Sequence, residues 1–389
     1  MAPPPPPPLS TSDSTASDSP ESTSSPVDSS ASGMLNYRRF PLLVPLCKEL
    51  SGSAAAQSTA ARQLLQTQTD ASAPRITSAG RNLNFRPVIG ILSHPGDGAS
   101  GRLNNAPNVS YIAASYSKFV ESAGARVIPL IYNEPWEVLY GKLSLVNGVI
   151  FTGGWAKKGL YAEVVESIFK EVLRKNDAGD HYPLLAICLG FELVIKIVSE
   201  DNMILERFNA VDQASTLQFV ENINMNGTVF HRFPPTLLKK LSTDCLVMQH
   251  HKQFGISPEK FQNNKRLSSF FKILATSADE DGKVYVSTVQ ARRYPVTGVQ
   301  FHPEKNSFEW GLQGIPHSED AVQVTQHIAN FLVREARMSS NRPSSKEVLD
   351  NLIYNYTPTY CGKSGSLSLS LSLHFVVSVR WGRKEYEDK

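Results

Sequence analysis

One stretch constrains this chain more than any other: Pro183-Leu184-Leu185-Ala186-Ile187-Cys188-Leu189-Gly190-Phe191-Glu192-Leu193-Val194-Ile195-Lys196. It reads as a short apolar strand, one cysteine and a helix, with no loop between them. A strand that turns directly into a helix bends sharply at the junction. The bend pushes the Cys188 side chain out beyond the carboxyl end of the sheet, the arrangement of a nucleophile elbow. The cysteine also sits over the helix N-terminus, whose unpaired N–H groups favour a thiolate. Two readings are open on this stretch alone. One is an activated nucleophile; the other is a buried, inert core cysteine, a common state of free cysteine.

Such a strand needs neighbours, and the chain supplies them. Pro87–Leu92, Val127–Ile131 and Val146–Phe151 are apolar strand candidates, and the periodicity predicts helices at about 109–123 and 161–174. After Leu184–Ile187 comes a helix over Phe191–Val198. Strands alternating with helices predict an α/β fold: three layers, a mainly parallel sheet flanked by helices. Ligands of such sheets bind beyond the carboxyl ends of the strands. The pattern then loosens. Strand-like runs recur at Thr216–Val220, Cys245–Gln249, Phe271–Thr276 and Val284–Gln290, with an Asp281-Gly282 turn between the last two. Val296–Phe301 is the closing strand, and a helix over about Glu319–Arg337 completes the domain.

The flanks differ in kind. Residues 1–33 are a Pro run and a Ser/Thr/Asp-rich segment with no Lys or Arg, which predicts disorder and argues against an organelle transit peptide. Residues 34–56 open with Met34, then Arg38-Arg39, an apolar Phe40–Cys47 run and small residues at 51–56. That is the order of a secretory signal, interrupted by Lys48 and Glu49; the alternative is a plain linker. Residues 57–83 read as linker, 84–338 as the globular α/β domain, 339–365 as its C-terminal extension and 366–389 as an atypical tail. That tail carries a Ser-Leu alternation, readable as an edge strand but more consistent with disorder. Asn108, Asn226 and Asn355 each begin a glycosylation triplet.

Composition excludes several classes. With 389 residues, 41% of them hydrophobic, and a net charge of +3, the chain has a sizeable core and no concentrated basic surface for nucleic acid. No apolar run reaches the ~18 residues that span a bilayer. The four cysteines, Cys47, Cys188, Cys245 and Cys361, include no Cys-x-x-Cys pair.

A nucleophile needs a base and a site for the developing oxyanion. His302 follows an apolar strand just as Cys188 does, so the fold is able to bring both to one sheet edge. Glu304, two residues on, is placed to accept the imidazole N–H and fix its tautomer. Taken alone, His-Pro-Glu is as readily a surface turn. Gly153-Gly154 also ends a strand, and two glycines let backbone N–H groups approach a reacting carbonyl. Gly154 and Leu189 are therefore the candidate oxyanion donors, the alternative at the glycines being an ordinary tight turn.

Gly90-Ile91-Leu92 with His94-Pro95, Thr152-Gly153-Gly154, Cys188-Leu189-Gly190-Phe191-Glu192 and Gly298-Val299-Gln300-Phe301-His302-Pro303-Glu304-Lys305 together resemble the class I glutamine amidotransferase-like proteins, which have a flavodoxin-like fold. Within them the set is similar to the gamma-glutamyl hydrolase family in its plant form, from about Asn84 to Gly365. Ala186, where many amidotransferases carry glycine, is usual in that branch; the first 33 residues and the chain past Gly365 do not match it. The resemblance implies hydrolysis of gamma-glutamyl bonds in folate polyglutamates, with Cys188 as nucleophile, His302 as general base and acid, and Glu304 as its orienting partner. His251 matches a family histidine near the substrate, its alternative being a loop surface residue. Glu192 matches a family glutamate and reads equally as a capping or packing residue. The resemblance further implies a homodimer, delivery to the vacuole or cell wall, and no metal or organic cofactor. Two other functions remain in view: a glutaminase partner of a synthase, and a non-catalytic protein that kept the fold.

Overall fold

The computed structural model describes residues 83–96, 109–249, 252–356, 358–360 and 373–378. The predicted N-terminal segment and signal, residues 57–82 of the linker, Asn108 and His251 lie outside the described residues. In chain order the strands are β1 (Val88–Leu92), β2 (His94–Pro95), β3 (Val109–Ala113), β4 (Arg126–Leu130), β5 (Val149–Phe151), β6 (Leu184–Ile187), β7 (Glu206–Ala210), β8 (Gln213–Ser215), β9 (Gln218–Phe219), β10 (Val247–Gln249), β11 (Lys252–Gly255), β12 (Phe271–Ala278), β13 (Val284–Ala291), β14 (Val296–Val299), β15 (Pro358–Tyr360) and β16 (Leu373–Ser378).

The main sheet has eight strands in the order β4-β1-β5-β6-β14-β13-β12-β9. The β4-β1-β5-β6-β14 part is parallel, and β13, β12 and β9 continue it antiparallel. Alternation along β6 explains why its sequence is wholly apolar. Leu184 and Ala186 join one buried cluster with Phe151, Phe169 and Phe191. Leu185 and Ile187 join the other with Ile91, Phe119, Val299 and Ile328. A strand covered on both faces has no polar side to present.

Helices cover each face through apolar stripes at helical spacing. Leu160–Asp177 buries Tyr161, Val164, Val165, Ile168 and Val172 against the first cluster. Ala114–Ser122 buries Phe119 and Val120, and Glu319–Ala336 buries Val324, Ile328 and Leu332, against the second. The expected three-layer α/β architecture with its mainly parallel sheet is the one observed.

Three local differences have physical causes. The helix expected from residue 109 begins at Ala114, because Val109–Ala113 is strand β3, paired antiparallel with β2. Its β-branched and aromatic residues suit a strand, and Ser110 bonds to Ser93 at 2.9 Å across the pair. Short helices at Trp136–Ser144, Pro235–Thr243, Pro258–Asn263 and Lys265–Phe270 lie where the sequence pattern was weak. In the tail read as disordered, Leu373–Ser378 forms β16, between β15 and β3.

Candidate active site

The register of two adjacent parallel strands builds the site. Ala186 and Ile187 of β6 stand beside Gly298 and Val299 of β14. Cys188 leaves the first strand and His302 follows the second by three residues, so both emerge at the same sheet edge. Cys188 N–H donates to the Val299 carbonyl at 2.9 Å, and Glu192 N–H donates to the Cys188 carbonyl at 2.9 Å. Between those anchors the cysteine adopts φ 52, ψ −105. A residue with a Cβ holds a positive φ of this kind at a cost of ~1–3 kcal/mol. The return is a thiol held at the N-terminus of the helix Leu189–Ser199, 7% exposed and directed to the catalytic edge.

His302 bonds to the Cys188 side chain on one side. On the other its Nδ1–H donates to Glu304 Oε1 at 2.6 Å. Committing Nδ1 to the carboxylate leaves Nε2 for the sulfur. Burial alone would lower the imidazole pKa, but the negative charges of Glu304 and the Cys188 sulfur outweigh it and raise the value to about 10. The ring is thus held as an imidazolium between the Glu304 carboxylate and the Cys188 side chain. The sequence-predicted Cys188, His302 and Glu304 are brought into one relay.

Gly153 and Gly154 close the wall opposite. A Cβ on Gly153 would stand 2.4 Å from His302 Cε1, and one on Gly154 would stand 2.3 Å from His94 Nε2. Only glycine lets the backbone approach both rings this closely. Leu189 is the first residue of its helix, so its N–H has no acceptor within the helix. Both predicted oxyanion donors therefore lie at the same edge as the sulfur.

Glu192 lies on the elbow helix and is buried. Its Oε2 pairs with Lys157 Nζ at 2.6 Å, and Gln300 Nε2 donates to its Oε1 at 3.5 Å. These contacts tie the elbow helix to the Gly153–Gly154 loop and to the end of β14.

Several side chains at the site carried no role in the sequence reading. Tyr116 Oη accepts from Gly153 N–H at 2.8 Å and lies 3.4 Å from His302 Nδ1. Lys305 is buried and ion-paired with Glu309, which also accepts from Ser115 Oγ at 2.7 Å. Burial opposes the Lys305 charge, but Glu309 and Glu304 raise its pKa above the usual lysine range. His94 and Lys305 stand within the motifs quoted above, yet only the packing reveals their partners. Tyr116 lies within the predicted helix, where an aromatic residue reads as core.

The proteins this chain is similar to are consistent with this geometry. The family model described as Peptidase C26 matches residues 87–304, an interval that contains Cys188, His302 and Glu304. Gamma-glutamyl hydrolase 2 of Arabidopsis thaliana is 66% identical over 309 residues, which span 79% of this chain and 89% of that protein. The chain belongs to the peptidase C26, gamma-glutamyl hydrolase, family. Gamma-glutamyl hydrolase 1 of the same plant is 68% identical over 292 residues, 75% of this chain and 84% of its own. Among solved structures, a glutamine amidotransferase from Thermotoga maritima is 15% identical, covers 66% of this chain and 98% of its own, and superposes with a TM-score of 0.34. As a C26 member the chain is an enzyme, a cysteine hydrolase.

Proposed function

We propose that this C26 hydrolase cleaves gamma-glutamyl amide bonds of folylpoly-gamma-glutamates through a Cys188 thioester. The observation that carries the reading is the Cys188–His302–Glu304 relay at the ends of β6 and β14. The Cys188 sulfur attacks the gamma-carbonyl carbon. The oxygen that gains charge is stabilised by the Gly154 and Leu189 N–H groups. His302 delivers its proton to the departing nitrogen as the C–N bond breaks, and Glu304 keeps the ring in register. Water, deprotonated by the now neutral His302, then attacks the thioester and releases the gamma-carboxylate and the thiol. His251 and Glu192 complete the reading as substrate-side residues, with Lys157 beside Glu192 as a cation for a polyanionic tail.

Pteroyl-polyglutamate and free glutamine, each offered to the purified protein and to Cys188→Ala, test this. Shortened tails from the wild type alone support the reading. Ammonia from glutamine with intact folate indicates a glutaminase, and no turnover of either indicates a non-catalytic protein.

The same reading includes a homodimer and passage through the secretory pathway to the vacuole or cell wall. The basic, apolar and small-residue order after Met34 supports the second, as do the glycosylation triplets. Asn226 and Asn355 are exposed, and Asn355 Nδ2 donates to Leu349 O at 2.8 Å, which makes Asn226 the more accessible acceptor. Sedimentation of the purified protein, and its mass before and after deglycosylation, check these points.

A further inference from the structure

Four successive backbone N–H groups run along the loop that leaves β5, from Gly153 to Ala156. Three of them are taken by side chains. Gly153 N–H donates to Tyr116 Oη at 2.8 Å. Trp155 N–H and Ala156 N–H both donate to His94 Nε2, at 3.0 and 3.2 Å. Gly154 N–H is the one with no hydrogen-bond acceptor among the described residues.

We propose that His94 is a positioning residue: its Nε2 clamps the Trp155 and Ala156 N–H groups, fixing the loop so that Gly154 N–H stays unpaired and aimed for the substrate oxyanion. This inference rests on the thioester reading above, because only a reaction that develops an oxyanion needs such a donor.

His94 is built for this task. Its Nδ1–H donates to the Pro95 carbonyl at 2.9 Å, and that bond fixes the tautomer with Nε2 as acceptor. The ring is 1% exposed and wedged edge-on among Tyr111, Trp155 and Tyr161, with ring centroids 5.1–5.6 Å away. Burial drives its pKa down to about 4, against the opposing pull of the Pro95 carbonyl, so the ring is neutral and Nε2 keeps its lone pair. An imidazolium has no acceptor nitrogen and would release both N–H groups. Gly154 lies so close to the ring that a Cβ there would meet Nε2 at 2.3 Å. Pairing of His94 with Tyr111, in the β2–β3 ribbon, holds the histidine itself in place. Tyr116 pins the loop at its other end, beside His302. Loop geometry is thus set from both sides of the one unpaired donor.

The test compares the wild type with His94→Ala and His94→Gln. The glutamine amide oxygen is able to accept from the two N–H groups, so this variant guards against loss of fold. Three quantities are read. The first is kcat and KM on pteroyl-polyglutamate. The second is the rate of Cys188 alkylation by iodoacetamide, which reports the thiolate and the fold without an oxyanion. The third is the affinity of a peptide ending in the gamma-aldehyde of glutamate. The Cys188 sulfur adds to the aldehyde carbon as the C=O π bond opens, and the former carbonyl oxygen, which takes a proton from His302 to become the hemithioacetal hydroxyl, occupies the oxyanion position.

His94→Ala is expected to lower kcat by roughly 10²-fold, the loss typical of one oxyanion donor, and to weaken the aldehyde in parallel. KM and the alkylation rate are expected to stay at wild-type values, and His94→Gln to recover part of both losses. Unchanged kcat and aldehyde affinity would overturn the assignment. So would a parallel fall in alkylation, which would make His94 a support of the Cys188–His302 pair or of the fold. If the wild type turns over no folate substrate, the fault lies with the substrate reading. Alkylation and aldehyde binding still decide the role of His94.

Discussion

The backbone of Cys188 is fastened to the strand that leads to His302: its N–H donates to the Val299 carbonyl at 2.9 Å, three residues before that histidine. One hydrogen bond therefore fixes the relative position of two elements more than a hundred residues apart. It also holds the cysteine in a conformation that a side chain disfavours.

That strain is measurable. Cys188→Ala and Cys188→Gly both lack the thiol and are both expected to be inactive. Only glycine relaxes the φ of 52. The glycine variant should be more stable than the alanine variant by about 1 kcal/mol, the strain relieved less glycine's extra chain entropy. Denaturant titration of the pair reads the difference. Equal stability, or a less stable glycine variant, would show that the elbow is unstrained.

His302 sets the alkaline limit. Its pKa is raised from 6.5 to about 10 by Glu304 and Cys188 against the cost of burial. A raised folded-state pKa contributes stability that is fully present below the unfolded value and is lost as pH rises through the folded one. The ion pair therefore persists at neutral pH and disappears as pH approaches about 10. Glu304→Gln removes the carboxylate charge, lowers the His302 pKa and moves the alkaline limb of kcat/KM to lower pH. A fall of roughly 10²–10⁴-fold in kcat accompanies the shift. A profile that moves to higher pH would contradict the assignment.

Gly153→Ala places a methyl 2.4 Å from His302 Cε1 and 3.0 Å from Tyr116 Oη. His302 is held by Glu304 and cannot retreat without leaving the thiol. The variant is expected to fold and to lose about 10²-fold in kcat, because a displacement of about 1 Å at a catalytic group is enough. Unchanged turnover would mean that the loop yields rather than the histidine.

Glu192 is buried, while Lys157 is 27% exposed at its side chain. Lys157→Met strips the carboxylate of its charged partner and should cost about 1–3 kcal/mol. Adding Glu192→Gln should recover part of that loss, since the unpaired charge is then gone. Thermal or denaturant unfolding of the single and double variants checks the coupling. Additive losses would show that the pair does not couple.

Much of the fold was legible in the sequence because local rules and tertiary contacts agree. β6 is apolar throughout because it is covered on both faces, and Leu160–Asp177 shows its stripe because one face meets the core. Val109–Ala113 misled because its apolar spacing also fits a helix, and pairing with β2 decides between them. Residues 235–270 were harder: helices of six to nine residues carry too few turns to show a period.

By itself the sequence determined which residues were available for chemistry. A cysteine at a strand–helix junction, a histidine and glutamate after a second apolar strand, and a glycine pair after a third are chemical identities at strand ends, and strand ends are readable from local pattern. Only the tertiary structure decided how they meet. The register of β6 on β14 puts Cys188 and His302 side by side, and the 2.6 Å contact of His302 with Glu304 fixes which ring nitrogen faces the sulfur. The same holds for His94, whose acceptor nitrogen serves N–H groups about sixty residues away. Proximity across such separations is set by hydrogen-bond register and packing, and neither is written in any local stretch of chain.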